Sequence, residues 1–214
     1  TPEQVSAGTI GFMLAPRINA AGRMGQIELA VELFLTDDPQ EAAALAEHLC
    51  NLNHRRQEEE NGIYEQIMAR IKEQPELTRG RTMVLWGDGW HNGVIGIVSS
   101  RLSDRYGVPC VLISMTGDSG KGSGRSIKGF NLYAALEKNA ALLEKYGGHE
   151  LAAGLSVERS KLKDFRDKIN EYARELNMKY NLELCTGEYG GLEFFDWGFR
   201  YEDIDSDKVK TAKE

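Results

Sequence analysis

Cysteine, histidine and long apolar runs are all scarce in this chain, and each scarcity removes a class of function. The three cysteines, Cys50, Cys110 and Cys185, stand far apart and form no CxxC pair, so neither a disulfide framework nor a zinc knuckle is supported. That usage fits a reducing, cytoplasmic compartment. The four histidines, His48, His54, His91 and His149, form no HxxxH or HxE pattern, and Asp88 and Asp118 each stand alone within glycine-rich turns. A complete catalytic metal centre is therefore not expected within this chain. No serine sits in a GxSxG elbow. No apolar run approaches the roughly 20 residues needed to span a bilayer, so no membrane partner is expected. The opening TPEQVSAGTIGF has neither an initiator Met nor a signal core, and reads as part of something longer.

Positive charge is also in deficit. The net charge is −7 over 214 residues, 28% of them charged, so bulk electrostatics do not suggest a protein that wraps duplex DNA. Any polyanion must be met by a local basic patch. The 41% hydrophobic content is enough for a substantial core and argues against disorder for most of the chain.

What is present falls into three parts: a helical connector over 1–76, an α/β domain over 77–180, and an acidic, aromatic tail over 181–214 to which no function is assigned. In the first, IELAVELFLT reads as helical, and Asp38 with Pro39 behind it is a helix start. A long helix is expected from Pro39 to Gln74, with Gly62 as its one potential interruption. Its middle, NHRRQEEEN, is polar all round, as in a helix that bridges two bodies. In the second part RTMVLWG reads as a strand, GVIGIVSSRLSDRYG as a helix stopped by Gly107, and VPCVLISM as a buried strand. That grammar implies a small mixed or mostly parallel sheet flanked by helices. A helix from Asn131 that ends near Tyr146 and a closing helix over SKLKDFRDKINEYARELN complete it.

Three windows could carry chemistry. GKGSGRSIKG, Gly120 to Gly129, combines four glycines with Lys121, Arg125 and Lys128, and holds no acid; its backbone could approach a phosphate closely, or it could be a flexible hairpin turn with solvated lysines. LAPRINAAGRMG, Leu14 to Gly25, offers Arg17 and Arg23 among small residues, again without an acid. It suits bidentate phosphate contact, or is a connector with two surface arginines. WGDGWHNGVIG places His91 between a strand and a helix beginning near Gly93, so that imidazole and helix N–H groups could face one anion, or Trp90 and His91 could simply cap the turn. KYGGHELAAG adds two glycines before His149, the first reading as a left-handed helix stop.

In this order and spacing, LAPRINAAGRMG, a long helix, WHNGVIGIVSSRL, GSGRS and YGGHELAAGL resemble the C-terminal part of the RecJ exonucleases, single-strand-specific members of the DHH phosphoesterase superfamily. The resemblance covers roughly Ser6 to Leu176. Tyr146 before the double glycine is similar to the aromatic-Gly-Gly-His form of that family. The triple-glycine form belongs to its small-nucleotide phosphodiesterases.

The resemblance implies a substrate-binding part of a metal-dependent 5′ to 3′ exonuclease acting on single-stranded DNA. Its two Mn2+ or Mg2+ ions would be held by an N-terminal DHH catalytic domain outside this chain, leaving this part inactive alone. It implies that Arg17, Asn19 and Arg23 face the cleft between the domains. His91 and the turn Ser123, Gly124, Arg125 and Ser126 would line the strand's path, and Gly147, Gly148 and His149 would touch substrate beside the scissile phosphate. Two other readings stay open: the substrate domain of a small-nucleotide phosphodiesterase, and a non-catalytic interaction module.

Overall fold

The computed structural model describes residues 5–180; the expectations for residues 181–214 lie outside the described residues. A π-helical segment, Thr9–Leu14, leads into α1 (Ala15–Arg23), which has Pro16 in its first turn. α2 (Ile27–Leu35) follows, then α3 (Pro39–Glu73). The window around Arg17 and Arg23 is thus mostly helical. α3 starts as its sequence requires: the Asp38 side chain accepts from the Gln40 N–H at 2.8 Å, with Pro39 at the first helical position. It runs 35 residues without a break at Gly62, about 52 Å at 1.5 Å per residue.

The remainder is built of β1 (Met83–Asp88), α4 (Ile95–Tyr106), β2 (Cys110–Thr116), β3 (Ser119–Arg125), α5 (Leu132–Lys138), β4 (Lys145–Gly148), β5 (Ala152–Glu158) and α6 (Leu162–Tyr180). The strands form one mixed sheet in the order β1-β2-β3-β5-β4. Only β1 and β2, joined by the α4 crossover, are parallel; the other three pairings are antiparallel. The reason is connection length. A two-residue link at Gly117 and Asp118, with Gly117 at φ 58°, returns the chain directly beside β2, which only an antiparallel neighbour permits.

Two stretches differ from expectation. Ser119–Arg125, expected as an irregular glycine-rich segment, is a full strand. Lys145–Gly148, expected as a helix stop, is strand β4, because the preceding helix ends at Lys138 and only a short 3-10 turn, Ala140–Leu142, continues it. Gly147 accordingly is not left-handed. Gly148 has the positive φ, 141°, and a Cβ there would lie 2.4 Å from the Ala152 carbonyl oxygen.

The layers follow from the two sheet faces. One face (Val111, Ile113, Met115, Leu155, Val157) is covered by α5 and α6 through Leu132, Phe165 and Ile169, with Phe130 just ahead of α5. The other (Met83, Leu85, Cys110, Leu112) is covered by α4, which in turn packs on Ile63 and Ile67 of α3. Arg101 of α4 lies 3.7 Å from the centre of the Tyr64 ring and seals that seam. The N-terminal half of α3 packs through Leu49 and Leu52 on Ala21 and Ala30 of α1 and α2. The long helix therefore joins two packed bodies, and Met24 touches both.

Candidate functional site

Two glycines bring the sequence windows together. Gly93 lies against α1: a Cβ there would stand 2.1 Å from the Arg23 carbonyl oxygen, far inside contact distance, so the chain can pass only without a side chain. Gly96, in the first turn of α4, lies against β3, where a Cβ would stand 2.8 Å from Ser123 Oγ and 3.2 Å from Arg125 Nη2. The turn from His91 to Gly96 is thus the hub on which α1 and β3 converge.

The result is a cleft of about 580 Å³ lined by Asn19, Arg23, Asn92, Gly93, Gly96, Ser123 and Arg125, with Ile18, Gly22 and Ile27 at one side. Arg23 Nη1 donates to the Gly93 carbonyl at 3.2 Å. Arg125 Nη1 donates to the Gly124 carbonyl at 2.8 Å and more weakly to Ser123 Oγ at 3.4 Å. Neither guanidinium meets a carboxylate among the described residues. Burial lowers the Arg125 pKa from its ordinary value, and the charge of Arg23 lowers it further. A guanidinium so placed still carries its charge at neutral pH, Arg125 included. Two unneutralised cations held side by side attract an anion, and an oxyanion with two or more acceptor oxygens can satisfy both forks at once.

Each expected site residue has a definite place. Asn19 and Arg23 line the cleft, whereas Arg17 is turned onto α3, its Nε donating to Cys50 Sγ at 3.2 Å and its Nη1 to the Met13 carbonyl. Ser123 and Arg125 line it. Gly124 faces the opposite layer, where a Cβ would lie 2.7 Å from Leu132. Ser126 uses its hydroxyl within the turn, donating to the Phe130 carbonyl at 2.7 Å.

His91 is folded back on its own turn: its Nδ1 accepts from the Gly93 N–H at 3.1 Å, and its carbonyl accepts from the Val94 and Ile95 N–H groups. The N-cap of α4 is Val94, with no side-chain cap. Trp90 beneath it is buried and donates to Gln66 at 3.0 Å.

His149 is exposed at the β4–β5 turn; its Nδ1 accepts from the Leu151 N–H at 3.3 Å and its backbone N–H donates to the Ala152 carbonyl at 2.8 Å. In both imidazoles the accepting Nδ1 puts the neutral ring's proton on Nε2. The turn sits at the Arg125 end of the sheet, since Arg125 is paired with Ala152 and the Ser126 N–H donates to Leu151. Sequence reasoning missed Asn92, Gly93 and Gly96 as lining residues. The three-residue spacing of the two glycines across a helix start was the available signal.

Among the described residues, no group of three His, Cys, Asp or Glu side chains could hold a metal ion. Among the same residues, no helix is long and apolar enough to cross a membrane.

Residues 79–175 match the DHHA1 domain family. The chain is 38% identical over 181 residues to the single-stranded-DNA-specific exonuclease RecJ of Salmonella typhimurium, and 38% identical over 167 residues to that of Bacillus subtilis. The chain matches a C-terminal part of RecJ. These matches take in 81% and 77% of it, but only 31% and 21% of the two relatives. The crystal structure of RecJ from Thermus thermophilus in complex with Mg2+ superposes with a TM-score of 0.72 at 36% identity, over 79% of this chain and 26% of that one. A crystal structure of exonuclease RecJ bound to manganese gives 0.70 at 37% identity, over 79% of this chain and 42% of that one. The matched stretch takes in the DHHA1 domain and helices that lead into it.

Proposed function

We propose that this chain is the strand-holding part of a metal-dependent 5′ to 3′ exonuclease that hydrolyses phosphodiester bonds in single-stranded DNA, and that Arg23 and Arg125 hold a backbone phosphate between them. The observation that carries this reading is the pair of unneutralised guanidiniums converging on one cleft in a chain whose net charge is −7. Residues 1–76 then act as connector and 77–180 as the substrate-binding domain. Asn19 and Ser123 add hydrogen bonds to the same phosphate, while Gly147, Gly148 and exposed His149 face the nucleotide next to it. Arg17 and His91 act in this reading by holding α1 and the hub turn in place.

The Mn2+ or Mg2+ ions and the attacking water belong to a DHH catalytic domain of the complete, cytoplasmic protein. Exposed apolar side chains suit the docking of that domain: Phe34 and Leu35, 70% and 75% exposed, share α2 with exposed Ile27 and Val31, and Phe12, Ile10 and Met13 are exposed ahead of α1. That domain would supply the metal chemistry of hydrolysis, and this part would keep the strand in line for it.

The test is direct binding. A labelled single-stranded 20-mer is expected to bind this chain at low salt, more tightly than a dinucleotide, with no cleavage when Mn2+ is added. Arg125→Ala is expected to weaken binding and to reduce the slope of log K against log salt by about 0.7. Preference for the dinucleotide would favour a small-nucleotide phosphodiesterase instead, and binding indifferent to salt and to Arg125→Ala would favour a protein-docking role.

A further inference from the structure

Six of the glycines in β3, β5 and β4 fall into two groups. Gly120, Gly122 and Gly124 are explained by packing: a Cβ on them would lie 2.5 Å from Met115, 2.8 Å from Leu155 and 2.7 Å from Leu132. Gly148 is explained by its positive φ and its close approach to Ala152. Gly147 and Gly154 have no such reason. They face each other across β4 and β5, both are exposed, and a Cβ would meet nothing within 4 Å at Gly147 and only a backbone oxygen at 3.6 Å at Gly154. The room above them is open.

The register shows what borders that room. Directly paired residues project from the same face of a sheet, and residues two apart along a strand do likewise. Arg125, Ser123 and Lys121 therefore share one face of β3. Ser123 is paired with Gly154, which is paired with Gly147; one step further, Lys121 is paired with Ser156, which is paired with Lys145. α4 covers this face only as far as β3, through Gly96 against Ser123. Beyond it lies a second groove of about 350 Å³, lined by Lys121, Lys145, Ser156 and Gly154, which shares Asn92 and Ser123 with the arginine cleft. Neither lysine side chain has a hydrogen bond or ion pair among the described residues. One more step along, Ser119 is paired with Glu158, and Asp88 is paired with Arg159 nearby, so the positive face stops there.

We propose that this face is a second backbone subsite: a single DNA strand leaves the Arg23–Arg125 cleft, crosses the glycine floor of Gly154 and Gly147, and is gripped by the cationic row of Lys121 and Lys145. From Arg125 to Lys121 is four residues, about 13 Å at 3.3 Å per residue, enough for roughly two internucleotide steps of an extended strand. The floor admits backbone and sugar without a side chain to part them. The acidic edge at Glu158 sets the limit. The subsite rests on the strand-holding reading above and adds length to it.

Salt-dependent binding tests it, using the 214-residue chain and oligothymidylates of two and twenty residues between about 50 and 200 mM salt. For the 20-mer, Lys121→Ala with Lys145→Ala is expected to lower the slope of log K against log salt by about 1.4, so that binding falls about sevenfold less across that range. Dinucleotide binding is expected to be untouched by that double change and weakened by Arg125→Ala. A control pair, Lys163→Ala with Lys168→Ala on α6 behind the opposite face, is expected to leave the slope as it was. If the 20-mer binds but the Lys121/Lys145 variant keeps the full slope, or the α6 pair lowers it equally, the second subsite is overturned while the cleft stands. If the unaltered chain binds no strand even at low salt, the strand-holding reading falls and the subsite with it.

Discussion

Gly93 and Gly96 each mark a place where another element comes closer than a side chain permits, and they do not respond alike to substitution. At Gly93 the obstacle is backbone, the Arg23 carbonyl at 2.1 Å from an added Cβ. Gly93→Ala is expected to push α1 away and cost about 1–3 kcal/mol, measurable as a lower urea midpoint. At Gly96 the first obstacle is the rotatable Ser123 hydroxyl at 2.8 Å, and alanine is favoured over glycine in a helix by roughly 0.5–1 kcal/mol. Gly96→Ala is therefore expected to keep or raise stability while displacing Ser123 and Arg125 and weakening strand affinity. The two assays separate the roles. Burial also fixes a cysteine's behaviour: it pushes the Cys110 thiol up to about 12, against a hydrogen bond from Ser99 that acts the other way. At pH 8 the native chain is expected to be alkylated at exposed Cys50 and not at Cys110, as peptide mapping by mass spectrometry would show.

Among the elements, α3 was the most legible, because its cap, its first-turn proline and its apolar spacing all agree. Gly62 does not break it, since nothing lies within 4 Å of a Cβ there and the helix is packed at both ends. Gly62→Ala is expected to stabilise the chain by about 0.5–1 kcal/mol in urea denaturation. β3 and β4 were illegible for an equally physical reason. SGKGSGR and KYGG hold few of the β-branched or aromatic residues that mark strands, and their state is imposed by β2 and β5 on either side. The same cause hid part of the site. Arg23, Ser123 and Arg125 were visible as motif residues, but the row of Lys121 and Lys145 exists only once register is known. Arg17 and Arg23 look equivalent in sequence; six residues of helix turn them to different sides.

At the scale of the molecule, the exposed apolar face of α2 is separate from every core cluster. Phe34→Ser with Leu35→Ser is expected to leave the urea midpoint nearly unchanged, within about 0.5 kcal/mol as for other surface changes, while reducing self-association in sedimentation. The long helix has a different consequence. It is fastened to α1 and α2 at one end and to α4 at the other, and the Arg23–Gly93 contact joins the far corners of those two bodies. Three rigid members pinned at three corners make a triangulated truss, which has no free joint. The distance between Arg23 and Arg125 then depends on the phase and length of α3 as well as on the Gly93–Gly96 turn between them. One residue inserted in its polar middle would turn one end by about 100° relative to the other, and the two cations would no longer share a phosphate.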